Sequence, residues 1–199
     1  MKRMFAVCIM ALQCTVAAAV AQSPEIEIIL TADNAAQRAA RDQLRRILDQ
    51  YDLKSWYFTR QVRIVEQETP HSHPVLTLNT GSLDDDAAQL ATFLHEQLHW
   101  RVDELNDPKA KAAIEEFRTI YPNAPGREGG GARSQFSTYL HLIVCDMELQ
   151  SLSRILGESK ARAVLAAWKH YPWIYGKVLN DPQVREVTRK HGFTAPSDT

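Results

Sequence analysis

The stretch Phe93-Leu94-His95-Glu96-Gln97-Leu98-His99-Trp100 decides how the rest of this chain is read. It lies within Asp84 to Leu105, a run predicted to be helical, and carries the pattern H-E-x-x-H at positions 95–99. Helical residues four apart stand one turn above each other on the same face, so the two imidazoles can converge on a single ion. Glu96 is rotated about 100° from His95 round the helix. It stands beside such an ion rather than on it, where a carboxylate can take a proton from an activated water. Phe93, Leu94, Gln97, Leu98 and Trp100 are uncharged, as a helix buried around a site requires, and Arg101 is the departure.

Outward toward the N-terminus, residues 1–21 have the form of an export signal and are set apart from the fold. Lys2 and Arg3 make a positive start, Met4 to Val20 is mostly apolar, and Ala19-Val20-Ala21 supplies the small-x-small pattern of a cleavage site. The run is short for a membrane anchor and is interrupted by Gln13. The expectation is an exported chain, periplasmic or secreted and without a membrane anchor after cleavage, whose residues 22–199 form one domain. Losing Lys2 and Arg3 leaves 21 basic residues against 24 acidic ones, a net charge of −3 that suggests neither nucleic acid nor an anionic membrane. Cys145 is then the single cysteine, so no internal disulfide is available. Its neighbours Leu142, Ile143, Val144 and Met147 predict a buried structural thiol.

Glu25 to Leu30, Trp56 to Val65 and Val75 to Leu78 read as strands. Helices are predicted from Asp33 or Asn34 to Tyr51, over Asp84–Leu105 and Lys109–Tyr121, and then over Ser134–Leu156, Glu158–His170 and roughly Pro172–His191. The order βαββ followed only by helices predicts an α+β fold, a small, mainly antiparallel sheet packed on a helical bundle that contains the H-E-x-x-H helix. The loop from Asn123 to Arg133 is rich in glycine but lacks G-K-[ST], so it is no phosphate loop; a flexible connection is expected, a flap over the cleft being the alternative. His71 and His73 fall on a proline-flanked loop and read as solvent-exposed side chains.

Two histidines do not complete a catalytic zinc site, which commonly has three protein ligands and an open position. The extended pattern H-E-x-x-H-x-x-G-x-x-H is absent, with Val102 and Leu105 at the glycine and third-histidine positions. The third ligand is therefore sought on another helix. Ser134 to Leu156 is apolar nearly all round, and against it His141 and Glu148 stand out on one face. A buried unpaired carboxylate is costly, and a metal is one of the few partners that offsets the cost. Seven residues separate the two by roughly 10 Å along the axis, too far for both to reach one ion.

An H-E-x-x-H helix after a short strand, with a glutamate on a later helix 49 positions beyond His99, resembles the thermolysin-like gluzincins among the zincin metallopeptidases. The likeness covers Leu76 to about Leu152 and departs from that group where Leu152 replaces the aspartate expected four residues after Glu148. The resemblance implies a zincin-like fold and one zinc per chain, held by His95, His99 and Glu148, with His141 as the alternative third ligand or a cleft residue. It implies hydrolysis of a peptide or protein substrate, with Glu96 as general base acting on water activated by zinc. It also implies an oxyanion donor opposite Glu96, sought at His170 or Tyr171 in the aromatic stretch His170–Tyr175, and a substrate-aligning edge strand at Val75–Leu78. The different-class alternatives are a non-catalytic zincin-like domain that binds a peptide or partner protein and keeps zinc for structure, and a metal-free helical binding module. Glu96 argues against the first, because a structural site has no use for a general base; melting curves with and without zinc separate the second from the rest.

Overall fold

The computed structural model describes residues 25–102 and 107–196. The segment read as an export signal lies outside the described residues, and no helix among those residues is long and apolar enough to cross a membrane. The fold is α+β: three short strands and seven α-helices.

Strand β1 (Glu27–Leu30) leads into α1 (Ala35–Gln50), followed by β2 (Gln61–Ile64), β3 (Leu76–Leu78) and α2 (Asp86–Arg101). The sheet has the order β1-β2-β3 and both pairs are parallel, Ile28 opposite Val62 and Val62 opposite Leu76. This corrects the expected antiparallel sheet. A helix between β1 and β2 returns the chain to the same end of the sheet, which forces a parallel pair, and the connection over residues 65–75 does the same for β3. Asn34 caps α1, its Oδ1 accepting from Gln37 N at 2.9 Å, and the helix lays Leu44 and Ile47 into the core.

Asp85 starts α2: one carboxylate oxygen accepts from the Ala87 and Ala88 amides, both at 3.0 Å. The helix ends at Arg101, where the Val102 amide bonds Leu98 O; the rest of the predicted run, 103–105, lies outside the described residues. Its burial is nearly all round, and the amide of Gln97 shows how a polar residue is accommodated there. Gln97 Oε1 accepts from the Phe58 and Thr59 amides at 2.9 Å each, and its Nε2 donates to Thr59 O at 2.8 Å. Every hydrogen-bonding group facing it is matched, which fixes the roll of the helix against the segment entering β2.

Beyond α2 come α3 (Pro108–Ile120), α4 (Gln135–Leu156), α5 (Glu158–Ala166), α6 (Pro172–Asn180) and α7 (Pro182–Lys190). Helix α4 is the axis of the molecule and packs against α2, α3, α5, α6 and α7, which is why its sequence is apolar on all sides. The predicted single helix over Pro172–His191 is two. Pro182 has no amide to continue the ladder, and Asp181 closes α6 and caps α7 by accepting from Gln183 N at 3.2 Å.

The glycine-rich loop is not a flexible connection. Gly126 O accepts from the Gly129 and Gly131 amides at 3.1 and 2.9 Å, and Trp173 N at the start of α6 donates to Gly130 O at 3.1 Å. A Cβ at Gly131 would sit 2.0 Å from Pro125 O, and one at Gly130 would sit 2.9 Å from Pro172 Cγ. Gly130 and Gly131 are there because the backbone passes too close to its neighbours for any side chain.

Candidate metal centre

Helices α2 and α4 cross so that His95, His99 and His141 meet at the base of a cavity of about 870 Å³. Nε2 of His95 and Nε2 of His99 lie 3.3 Å apart. The ring of His141 is centred 4.9 Å from that of His99 and 5.7 Å from that of His95. Nδ1–H of His141 donates to Ser137 O, one turn back on its own helix, at 2.7 Å, which projects Nε2 away from that backbone. All three imidazoles are 6–8% exposed: inside the protein, and still reachable from the cavity.

Glu148 lies on the far side of His95. Nδ1–H of His95 donates to Glu148 Oε2 at 2.9 Å, and the Tyr175 hydroxyl from α6 donates to the same oxygen at 2.9 Å. The His95 ring is thus interposed between the two α4 residues that the sequence offered as alternatives, with one nitrogen toward Glu148 and the other toward His99. Glu148 is fully buried and its Oε1 has no partner. Burial pushes its carboxyl up to about 8, against the lowering effect of the Tyr175 hydrogen bond. Burial also holds the His95 imidazole well below its usual range, in the neutral form that binds metal.

Two groupings of donors among the described residues could hold a metal: His95, His99 and His141, or His95, Cys145 and Glu148, with the donor atoms of each group within 4.8 Å of one another. The first fits zinc better on three counts. Zinc–nitrogen bonds of about 2.0–2.1 Å in a tetrahedron place two nitrogens about 3.3 Å apart, and the His95–His99 separation is 3.3 Å. In the second grouping the His95 nitrogen on that side, Nδ1, is already bonded to Glu148 Oε2, and burial pushes the Cys145 thiol well up, so its thiolate is disfavoured. Finally, a carboxylate accepting from the outer nitrogen of a metal-binding histidine is the arrangement that fixes tautomer and orientation at such sites.

Glu96 lines the same cavity and is 7% exposed. Desolvation, followed by the charge of Glu148, pushes its carboxyl up to about 8. Tyr171 stands across from it at the start of α6, its ring centred 4.7 Å from that of His141. Its backbone is left-handed (φ 52°, ψ 43°), a conformation that a bulky residue adopts at a cost of about 1–3 kcal/mol. His170 also lines the cavity but sits exposed at its mouth, its ring 5.3 Å from that of Tyr171.

The expected substrate edge at Val75–Leu78 is taken by the chain itself. Thr77 N donates to His71 O at 2.8 Å and His71 N donates to Thr77 O at 3.1 Å, so the side of β3 away from β2 is already paired. His71 is half-buried at the cavity wall rather than solvent-exposed, whereas His73 is exposed and stacks on Trp100 with ring centroids 4.2 Å apart. Two contributors escaped the sequence reading. Tyr175, one turn after Tyr171 on α6, carried a signal in that spacing; Ser137, one turn before His141, carried none.

No family model, no curated protein and no solved structure matches this chain.

Proposed function

We propose that this chain is a zinc-dependent peptidase in which His95, His99 and His141 hold the metal and Glu96 is the general base. The observation that carries the reading is the 3.3 Å approach of the His95 and His99 Nε2 atoms beside His141, with a buried carboxylate at the adjacent helical position. Bound zinc supplies a Lewis acid that polarises a carbonyl and lets water lose a proton near neutral pH. Glu96 receives that proton on its carboxylate and delivers it to the leaving amine. A carboxyl pushed up to about 8 by desolvation holds a proton well enough to serve as the acid in the second half of the reaction.

Glu148 is assigned to orientation instead of coordination. Its Oε2 fixes His95 with Nδ1 protonated and Nε2 toward the cavity, and the Tyr175 hydroxyl keeps that oxygen in place. Tyr171 is the oxyanion donor: its phenol is raised by burial, so it stays protonated and able to donate as charge develops on the carbonyl oxygen. His170, at the mouth, contacts substrate. The apolar N-terminal stretch after Lys2 and Arg3 supports an exported location.

The test is cleavage of a peptide library, mapped by mass spectrometry, by the zinc-loaded wild type and by Glu96→Gln. Glu96→Gln should retain one zinc per chain and cut about 10²–10⁴-fold more slowly. Equal rates in the two proteins, or no cutting by the loaded wild type, would overturn the reading.

A further inference from the structure

The ionisable groups lining the cavity divide by depth. The base holds His95, His99, His141, Glu96 and Glu148, His71 lies on the wall, and the rim holds Arg127, Glu128, Lys169 and His170. Arg127 and Lys169 are exposed, and neither forms an ion pair among the described residues. Many other basic side chains are neutralised locally: Arg46 pairs with Asp86 at 2.8 Å, Arg185 with Asp146 at 2.7 Å, and Lys190 with Glu116 at 2.9 Å. The whole chain carries a net charge of −1, so a rim with two cations and one anion is no by-product of general basicity.

The backbone that carries Arg127 is held in place. Arg127 begins the 3-10 turn Arg127–Gly129, which is closed by the Gly129 and Gly130 amides and tied to α6 through Gly130 O and Trp173 N. The close approach at Gly130 and Gly131 leaves that turn little freedom. Arg127, Lys169 and Tyr171 all line this one cavity, and Lys169 lies two residues before Tyr171 in the chain. Both cations therefore border the same cavity as the side chain assigned to the oxyanion.

We propose that Arg127 and Lys169 form a carboxylate-binding subsite that selects peptides with a negative charge next to the bond to be cut. The inference rests on the peptidase reading for its substrate class, but its chemistry is recognition of a carboxylate by two cations at the rim of one cavity. That carboxylate belongs either to an acidic side chain or to a peptide C-terminus. Glu128 beside Arg127 sharpens the choice, since it repels an anion that binds off-centre.

The experiment measures binding by tryptophan fluorescence to the full chain carrying Glu96→Gln, zinc-loaded, at low and high salt. Three octapeptides of alanine and glycine serve as probes: one end-blocked with two central glutamates, its end-blocked twin with two glutamines, and the glutamine peptide with a free C-terminus. A charged probe should bind about fivefold more tightly than the blocked glutamine twin, an advantage that shrinks at high salt. Arg127→Glu with Lys169→Glu should remove it; both positions are exposed, and an unchanged melting temperature confirms that the fold is kept. The glutamate probe alone gaining affinity identifies a side-chain carboxylate, and the free C-terminus alone identifies the terminal one. Equal binding of all three probes, no binding of any, or a preference that survives the double substitution overturns the inference. Library cleavage by the wild type in parallel separates the two ideas. Cutting without charge preference keeps the peptidase and removes the subsite; charge-selective binding without cutting does the reverse.

Discussion

Replacing Glu148 with glutamine should weaken zinc binding about tenfold without removing the metal. Glu148 Oε2 accepts from His95 Nδ1 and from the Tyr175 hydroxyl, both at 2.9 Å and both fully buried. A cation on His95 favours the Glu148 carboxylate; hydrogen bonds to a charged group contribute about 1.5–3 kcal/mol and neutral ones about 0.5–1.5, so exchanging it for an amide weakens the bond to His95 by about 1.3 kcal/mol. That is about a factor of ten in affinity. Glu148→Ala removes the acceptor altogether and leaves two buried donors stranded, which takes the loss toward a hundredfold and costs about 3 kcal/mol of folding stability. His141→Ala acts on a ligand. Apparent zinc affinities of about 10–16 kcal/mol, shared over four ligand positions, make one ligand worth about a hundredfold to a thousandfold. Competition with a chromophoric chelator at neutral pH reads all three variants on one scale. If His141→Ala bound zinc as the wild type does while Glu148→Gln lost it, Glu148 would be the ligand and the assignment would have to be reversed.

In metal-free protein, stability should fall as pH rises between about 5 and 8, because folded Glu96 keeps a proton up to about 8 that the unfolded chain releases near 4.5. Glu96→Gln removes that term and should gain on the order of 3–5 kcal/mol over the wild type at pH 8 but little at pH 5; urea melts at the two pH values check it, and parallel curves would mean that Glu96 is solvated. Tyr171→Phe should lower kcat about 10²-fold with KM nearly unchanged, since its donor acts on charge that develops only in the transition state; an effect confined to KM would make it a substrate contact. Gly131→Ala, with its new Cβ 2.0 Å from Pro125 O and 2.5 Å from Thr138 Oγ1, should lower the melting temperature by about 10 °C. Gly157→Ala meets nothing within 4 Å and bears only its positive φ of 84°, so it should cost about 1 kcal/mol; equal shifts in the two glycine variants would sink the close-approach argument.

What was legible in the sequence follows the range of the physics involved. The α2 helix and the stacking of His95 over His99 are set by residues close together in the chain, and they were readable. So was the burial of α4, because an all-round apolar sequence has few other destinations. Strand direction was not, since it depends on which end of the sheet the chain returns to after α1 and after residues 65–75. The role of the glycine loop was hidden for a similar reason. Flexibility and close packing ask for the same residue, and only the positions of Pro125, Thr138 and Pro172 tell them apart.

The third ligand is the instructive case. A helical wheel puts His141 and Glu148 on one face, and their separation along the axis excludes a shared ion, but nothing on α4 itself ranks them. The likeness to gluzincins favours the glutamate. The ranking comes from α2: the His95 ring lies between the two, and an imidazole has one nitrogen for each side. With Nδ1 given to Glu148 and Nε2 facing His99, the nitrogen left for a metal in the proposed site is the one grouped with His99 and His141. The same placement explains why Leu152 can occupy the position where an orienting aspartate was expected, since Glu148 one turn earlier performs that task for His95. A buried glutamate opposite a metal-binding helix therefore has two chemically sensible uses, and which nitrogen of the nearest histidine it touches decides between them.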